Sequence, residues 1–346
     1  MTLYLVVFLC ATAGTWLVRR LARRHNVMDI PGERSSHEQP TPRGGGVAIV
    51  VAVAVGLGFR IATGAEFPLG DAVWIFAGAF ALALVGLGDD LLNLPVAPRL
   101  VVQFVVAILL ACMGIRLDTL WLPFVGNVTT GLIAWPLTVL TMVTITNFFN
   151  FMDGIDGLAG GEAVLVGIFL ATAAAITGQS ELFAPCLAVA FAALGFLVFN
   201  FPPASIFMGD SGSLFLGFFF AAATVKMSQH APSSLPLCFG LLLLGTFVFD
   251  AAFTICRRAK NREPLHKPHR SHLYQRLIIL GLPHLHATLG EYALTLALGG
   301  SVLLGMYMGH TGRSLICLIW LFILVSIAFA VRLLEKSGWQ WTEGNE

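Results

Sequence analysis

The chain is predicted to be an all-α polytopic membrane protein, and three observations carry that prediction. Of its 346 residues, 57% are apolar and only 11% are Asp, Glu, Lys or Arg. Eleven apolar runs approach the roughly 20 residues that a helix needs to cross hydrocarbon. The hydrophilic residues, finally, are concentrated in alternate connections between those runs.

The expected spans are 2–19, 44–63, 71–88, 99–115, 130–148, 157–177, 182–200, 212–229, 235–256, 286–308 and 313–333. No fixed-period repeat, low-complexity tract or soluble domain interrupts them, so 1–346 reads as a single integral membrane unit. The run at 117–128 is too short to span and is broken by Pro123, which predicts a loop at the interface. Thr2 to Val18 is followed, not preceded, by Arg19, Arg20, Arg23 and Arg24. That order favours a retained first span with an outer (periplasmic) N-terminus. Eleven spans then put the C-terminus inside, in the cytoplasm. Only Arg60, Arg116, Lys226 and Arg313 of the 20 Lys and Arg fall outside, as the positive-inside rule requires. The six cysteines sit singly in apolar runs with no metal spacing and read as core fillers.

The segments rich in Asp, Asn, His and Gly all fall on the inner face, after spans 1, 3, 5, 7 and 9. Five connections sharing a face predict one active site assembled there. A transport path would instead place ionisable residues near mid-span, where Asp250 is the main candidate.

The centre of that site is Asn147 to Gly161, NFFNFMDGIDGLAGG. Asn147, Asn150, Asp153 and Asp156 follow an i, i+3 series, which on a helix forms one ladder of oxygen ligands. Such donors suit a hard cation such as Mg²⁺, and Gly154 and Gly157 allow a sharp turn. In GLGDDLL, Asp89 and Asp90 repel each other unless a cation or proton intervenes; a plain helix stop is the alternative. Arg99 opens the following span. Asp210, in FMGDSGSLFLG, stands at a helix start, either as a ligand or as an ordinary N-cap. The first inner loop offers Ser35, Ser36, His37 and Arg43 to a phosphate. The last offers a cationic cluster of Arg262, His266, Lys267, His269, Arg270, His272 and Arg276 to a pyrophosphate. His284 and His286 read as interfacial.

Taken in order on these loops, HxxPTPRGGG, GLGDD, NxxNxxDGIDGLAGG, FMGDSGSLFLG and the His/Arg loop resemble the polyprenyl-phosphate N-acetylhexosamine-1-phosphate transferases. These are the MraY/WecA-like enzymes of glycosyltransferase family 4, and the WbpL type that begins lipopolysaccharide O-antigen synthesis is the most similar branch. The resemblance covers most of the chain. It implies transfer of a sugar-1-phosphate from a UDP-N-acetylhexosamine, such as UDP-GlcNAc or UDP-FucNAc, to undecaprenyl phosphate in the bacterial inner membrane. UMP and undecaprenyl-diphosphate-sugar would be the products.

By the same resemblance, Asn150 and Asp210 are the expected ligands of Mg²⁺, with Mn²⁺ as a substitute ion. Asp89, Asp90, Asp153 and Asp156 are the expected catalytic carboxylates. Arg43, Arg99, Asn147, His269, Arg270, His272 and Arg276 are the expected substrate contacts. Where MraY-type proteins carry HHHxE, this chain has HRSHLYQ, which argues against a muramyl-pentapeptide donor. The expected partners are the two substrates and the bilayer, with no nucleic acid and with a homodimer as a candidate assembly. The readings from other classes are a membrane transporter and a phosphatase of lipid pyrophosphates.

Overall fold

A computed structural model describes residues 1–31, 39–63, 70–229, 235–264 and 269–341. The helices are α1 (Thr2–Arg24), α2 (Gly46–Ala62), α3 (Ala72–Leu92), α4 (Val96–Cys112), α5 (Ala134–Phe151), α6 (Leu158–Ile176) and α7 (Ser180–Asn200). They continue with α8 (Asp210–Met227), α9 (Leu237–Leu243), α10 (Gly245–Lys260), α11 (Leu273–Ile279), α12 (His284–Met306) and α13 (His310–Ser337). Two small antiparallel hairpins complete the chain, β1 (Met28–Asp29) with β2 (Thr41–Pro42), and β3 (Thr119–Leu122) with β4 (Gly126–Thr129). Prolines stand at the N-caps of α4, α9 and α12, where a missing N–H costs no intrahelical bond.

Every expected span carries a helix. Seven described helices are long and apolar enough to cross a membrane, or eight if one bent pair counts as a span. Two further apolar helices, α2 and α4, fall just short in length. Three local expectations need correction. The span expected at 235–256 is broken at Leu244, where α9 and α10 meet at 92°. α10 carries Asp250, Arg257, Arg258 and Lys260, too many charges to continue a straight path through hydrocarbon. The stretch at 117–128 forms the β3–β4 hairpin, whose register pairs Thr119 with Thr129. The last inner loop, finally, contains α11.

α8 is the central post of the bundle. Every residue from Ser211 to Met227 is buried, the pattern of a helix surrounded on all sides. It packs chiefly against α3 and α5, with Phe76 and Phe219 stacked at 5.1 Å. Close approach at one end depends on small residues: a Cβ on Gly46 would lie 2.5 Å from the Gly212 nitrogen. At the other end Lys226 pairs with Asp71 at the start of α3 and with Glu181 of α7 at 3.3 Å. α8 is therefore held at both ends, and its first residue, Asp210, is fixed in place.

Candidate active site

Around that first turn lies a cavity of about 270 Å³, lined from all five connections singled out in the sequence. Asp29 and Arg43 come from the α1–α2 connection, Asp90 from the end of α3, and Asp153 to Asp156 from the α5–α6 turn. Asn200, Phe207, Gly209 and Asp210 come from the α7–α8 connection; Gln275 of α11 and His284 of α12 close the wall.

The helical ladder of Asn147, Asn150, Asp153 and Asp156 is only half realised. α5 ends at Phe151, so Asp153 and Asp156 reach the cavity from a turn. Gly157, at φ 74°, then starts α6 in a left-handed conformation that favours glycine. Gly154 is needed for a different reason, since any Cβ there would run into the Tyr274 hydroxyl. The turn is tied down from both sides. Asp156 accepts the Ala204 N–H at 2.9 Å and lies 3.4 Å from His284 Nδ1. From α12, Thr288 donates to the Asp156 carbonyl at 2.7 Å and Tyr292 to the Gly157 carbonyl at 2.6 Å. Tyr292→Phe should cost roughly 1 kcal/mol, the usual value of one hydrogen bond. It should be read as a lower unfolding midpoint in detergent, with insertion unchanged.

The two adjacent aspartates have different partners. Asp90 is buried and turns toward α8, accepting the N–H groups of Asp210 at 3.0 Å and Ser211 at 3.1 Å. It thus caps α8 from another helix, satisfying donors that a helix start leaves open. Arg43 donates to the Asp90 carbonyl. Asp89 pairs with Arg99, whose same nitrogen also meets Asp210 at 2.6 Å. Asn150 donates to Asp210 at 3.1 Å and to Ser213 at 2.7 Å. Asp89, Arg99, Asp210 and Asn150 therefore form one contiguous polar cluster beside the cavity.

The remaining expected contacts lie elsewhere. Asn147 donates to Gln103 of α4 at 2.6 Å and does not line the cavity. Neither do His269, Arg270, His272 or Arg276. His272 caps α11 and sits 3.2 Å from Asp250, which also accepts the Leu273 and Tyr274 N–H groups. Asp250 is thus a structural anchor of the last inner loop. Arg276 forms a two-pronged pair with Glu335 of α13, with one arm at 2.6 Å. His269 bonds Ser271 at 2.8 Å. Ser35, Ser36, His37, His266 and Lys267 lie outside the described residues. Asp29, Asn200, Gln275 and His284 were not expected on the cavity wall. Asp29 and His284 carry a legible signal, an ionisable residue beside a span on the same inner face.

The donor chemistry fits a hard cation. The Asp153 carboxyl is pushed up to about 8, chiefly by burial and in smaller part by the negative charges of Asp210 and Asp90. Surplus negative charge of that kind is what a divalent ion relieves. Among the described residues no trio of His, Cys, Asp or Glu is gathered as a complete metal cage. Mg²⁺ does not require one, because it takes one or two carboxylates and fills its remaining positions with water and substrate phosphate.

Residues 72–228 match the family model described as Glycosyl transferase family 4. A Bacillus subtilis (strain 168) protein, a probable undecaprenyl-phosphate N-acetylglucosaminyl 1-phosphate transferase, is 34% identical over 84% of this chain and 80% of its own. The chain belongs to glycosyl transferase family 4. Within this MraY/WecA-like family, the decaprenyl-phosphate N-acetylglucosaminephosphotransferase of Mycolicibacterium smegmatis is 31% identical over 81% of this chain and 75% of its own. A phospho-N-acetylmuramoyl-pentapeptide-transferase of Pelotomaculum thermopropionicum is 30% identical over 84% of this chain and 92% of its own. The matched segment of this family 4 protein runs from α3 to the end of α8. It contains Asp89, Asp90, Arg99, Asn150, Asp153, Asp156 and Asp210, but not the α11 loop.

Proposed function

We propose that the protein transfers N-acetylhexosamine-1-phosphate from a UDP-sugar to undecaprenyl phosphate, releasing UMP, and thereby starts O-antigen synthesis at the bacterial inner membrane. The observation that carries this reading is the convergence of Asp90, Asp153, Asp156 and Asp210 with Arg43 and His284 around one cavity. Mixed charge of this kind suits an anionic donor held with a cation. UDP-GlcNAc is the first donor to test, then UDP-FucNAc. The whole chain acts as one unit with its N-terminus outside; with the bent α9–α10 pair counted as one of eleven spans, a fluorescent protein fused to the C-terminus should mature in the cytoplasm.

In this reading Asp210 and Asn150, with Asp153 beside them, hold Mg²⁺. The ion, when bound, supplies charge neutralisation to the donor diphosphate. The chain's own groups do the rest. Arg43 and Arg99 screen the repulsion between two anionic substrates, and their planar guanidiniums match phosphate oxygens. A phosphate monoester has its second pKa near 6, so the lipid phosphate arrives mostly as the dianion. One of its oxygens attacks the β-phosphorus of the donor. The bond from that phosphorus to the bridging oxygen breaks, and UMP leaves with the electron pair. Asp89, poised on Arg99, orients the nucleophile; Asp90 keeps the Asp210 turn in position.

The test is UMP release by purified protein supplied with undecaprenyl phosphate and a UDP-N-acetylhexosamine. Release should require both the lipid and Mg²⁺, and EDTA should abolish it. Inorganic phosphate as the product would mark a phosphatase. No product from any such donor would favour a transporter.

A further inference from the structure

A second recess, of about 240 Å³, lies at the end of α1 on the same side of the bundle as the cavity; Trp16, Arg19, Arg20 and Arg23 line it. Their spacing of three, one and three residues places all four on one helical stripe. Arg20 lies over the Trp16 ring at 5.5 Å, and Trp16 is 46% exposed. Arg19 lies over Phe199 at 4.9 Å and donates to Ser205 at 3.0 Å. Among the described residues none of the three arginines has a carboxylate partner, whereas Arg99, Arg116, Arg258 and Arg276 each have one.

A topology signal alone would need neither a recess nor a tether. Three guanidiniums on one stripe, with no carboxylate partner among the described residues, repel each other, and a bridging anion is what would bring them to rest. The indole beside them marks the water–hydrocarbon boundary. A polar anion with an apolar body meets both demands, and phosphate oxygens match the donor fork of arginine.

We infer that this recess binds the phosphodiester headgroup of an anionic glycerophospholipid. The site is separate from the cavity proposed for the substrates. It nonetheless adjoins the same connection, because Ser205 follows Ala204, whose N–H is held by Asp156.

The test uses the full chain reconstituted in phosphatidylcholine nanodiscs containing brominated phosphatidylglycerol or brominated phosphatidylcholine. The Trp16 contribution to fluorescence is isolated by comparison with Trp16→Phe. Each arginine near a membrane surface strengthens anionic binding by about fivefold, so the Arg20→Gln/Arg23→Gln variant should weaken it by more than about tenfold. The expected result is Trp16 quenching at a far lower mole fraction of phosphatidylglycerol than of phosphatidylcholine, with that preference lost in the variant and reduced by salt. Equal quenching of the wild type by the two lipids would overturn the inference, whatever the variant does. So would full displacement by millimolar inorganic phosphate, which would indicate a free-anion site, or by undecaprenyl phosphate, which would indicate a substrate site.

Discussion

Asp210→Asn should lower turnover by roughly 10²–10³-fold or more, the scale seen when a group that stabilises developing charge is removed. The protein should still insert and purify. The substitution keeps the side-chain volume and leaves the Asp210 N–H bound to Asp90, so the start of α8 stays capped. What it removes is the negative charge shared by Arg99 and the proposed cation. Asn150→Ala should act in the same direction, because Asn150 donates to both Asp210 and Ser213. Steady-state rates of the reconstituted variants check both. A rate within a few-fold of wild type for Asp210→Asn would remove that residue from the metal site.

Gly86→Ala should be nearly as damaging by a different route. A Cβ at this position on α3 would collide with the Asp210 carbonyl and lie 2.6 Å from the Ser211 nitrogen. Nothing there is a flexible side-chain tip, so the turn that presents Asp210 must move off its Asp90 cap. Overpacking of this kind costs about 1–3 kcal/mol. The displacement should lower turnover by about 10²-fold, as small misplacements of catalytic groups do. Gly88→Ala is the matched control. Its Cβ would meet only Leu94, at 3.2 Å, so thermal stability and rate should change little. Equal effects of the two substitutions would show that crowding of the α8 start is not the cause.

These two variants also show what a sequence can and cannot disclose. Asp210 stood out because a charge beside hydrocarbon is expensive and is rarely kept without a use. For the same reason all five connections were recognisable, and the structure brings them to one cavity. Gly86 gave no such signal. Its importance comes from a helix start more than 120 residues further along the chain, and only packing reveals it. The division of labour between Asp89 and Asp90 was hidden for the same cause. Adjacent residues on a helix point about 100° apart, so one faces Arg99 and the other the α8 start.

The basic loop is where the structure departs furthest from the expected placement, because its described His and Arg residues do not line the cavity. Its His and Arg residues suggested a grip on pyrophosphate, yet His272 meets Asp250 and Arg276 meets Glu335. Those carboxylates lie 22 and 59 residues away in the chain, and neither pairing has a local pattern. Gln275, a residue with no charge to draw notice, is the member of α11 that reaches the cavity.

The most direct measurement follows the phosphorus atoms. With UDP-N-acetylglucosamine labelled in the β-phosphate, undecaprenyl phosphate and Mg²⁺, the label should appear in the lipid diphosphate-sugar while the released UMP stays unlabelled. Label recovered as inorganic phosphate, or retained in the nucleotide, would contradict sugar-phosphate transfer at this site.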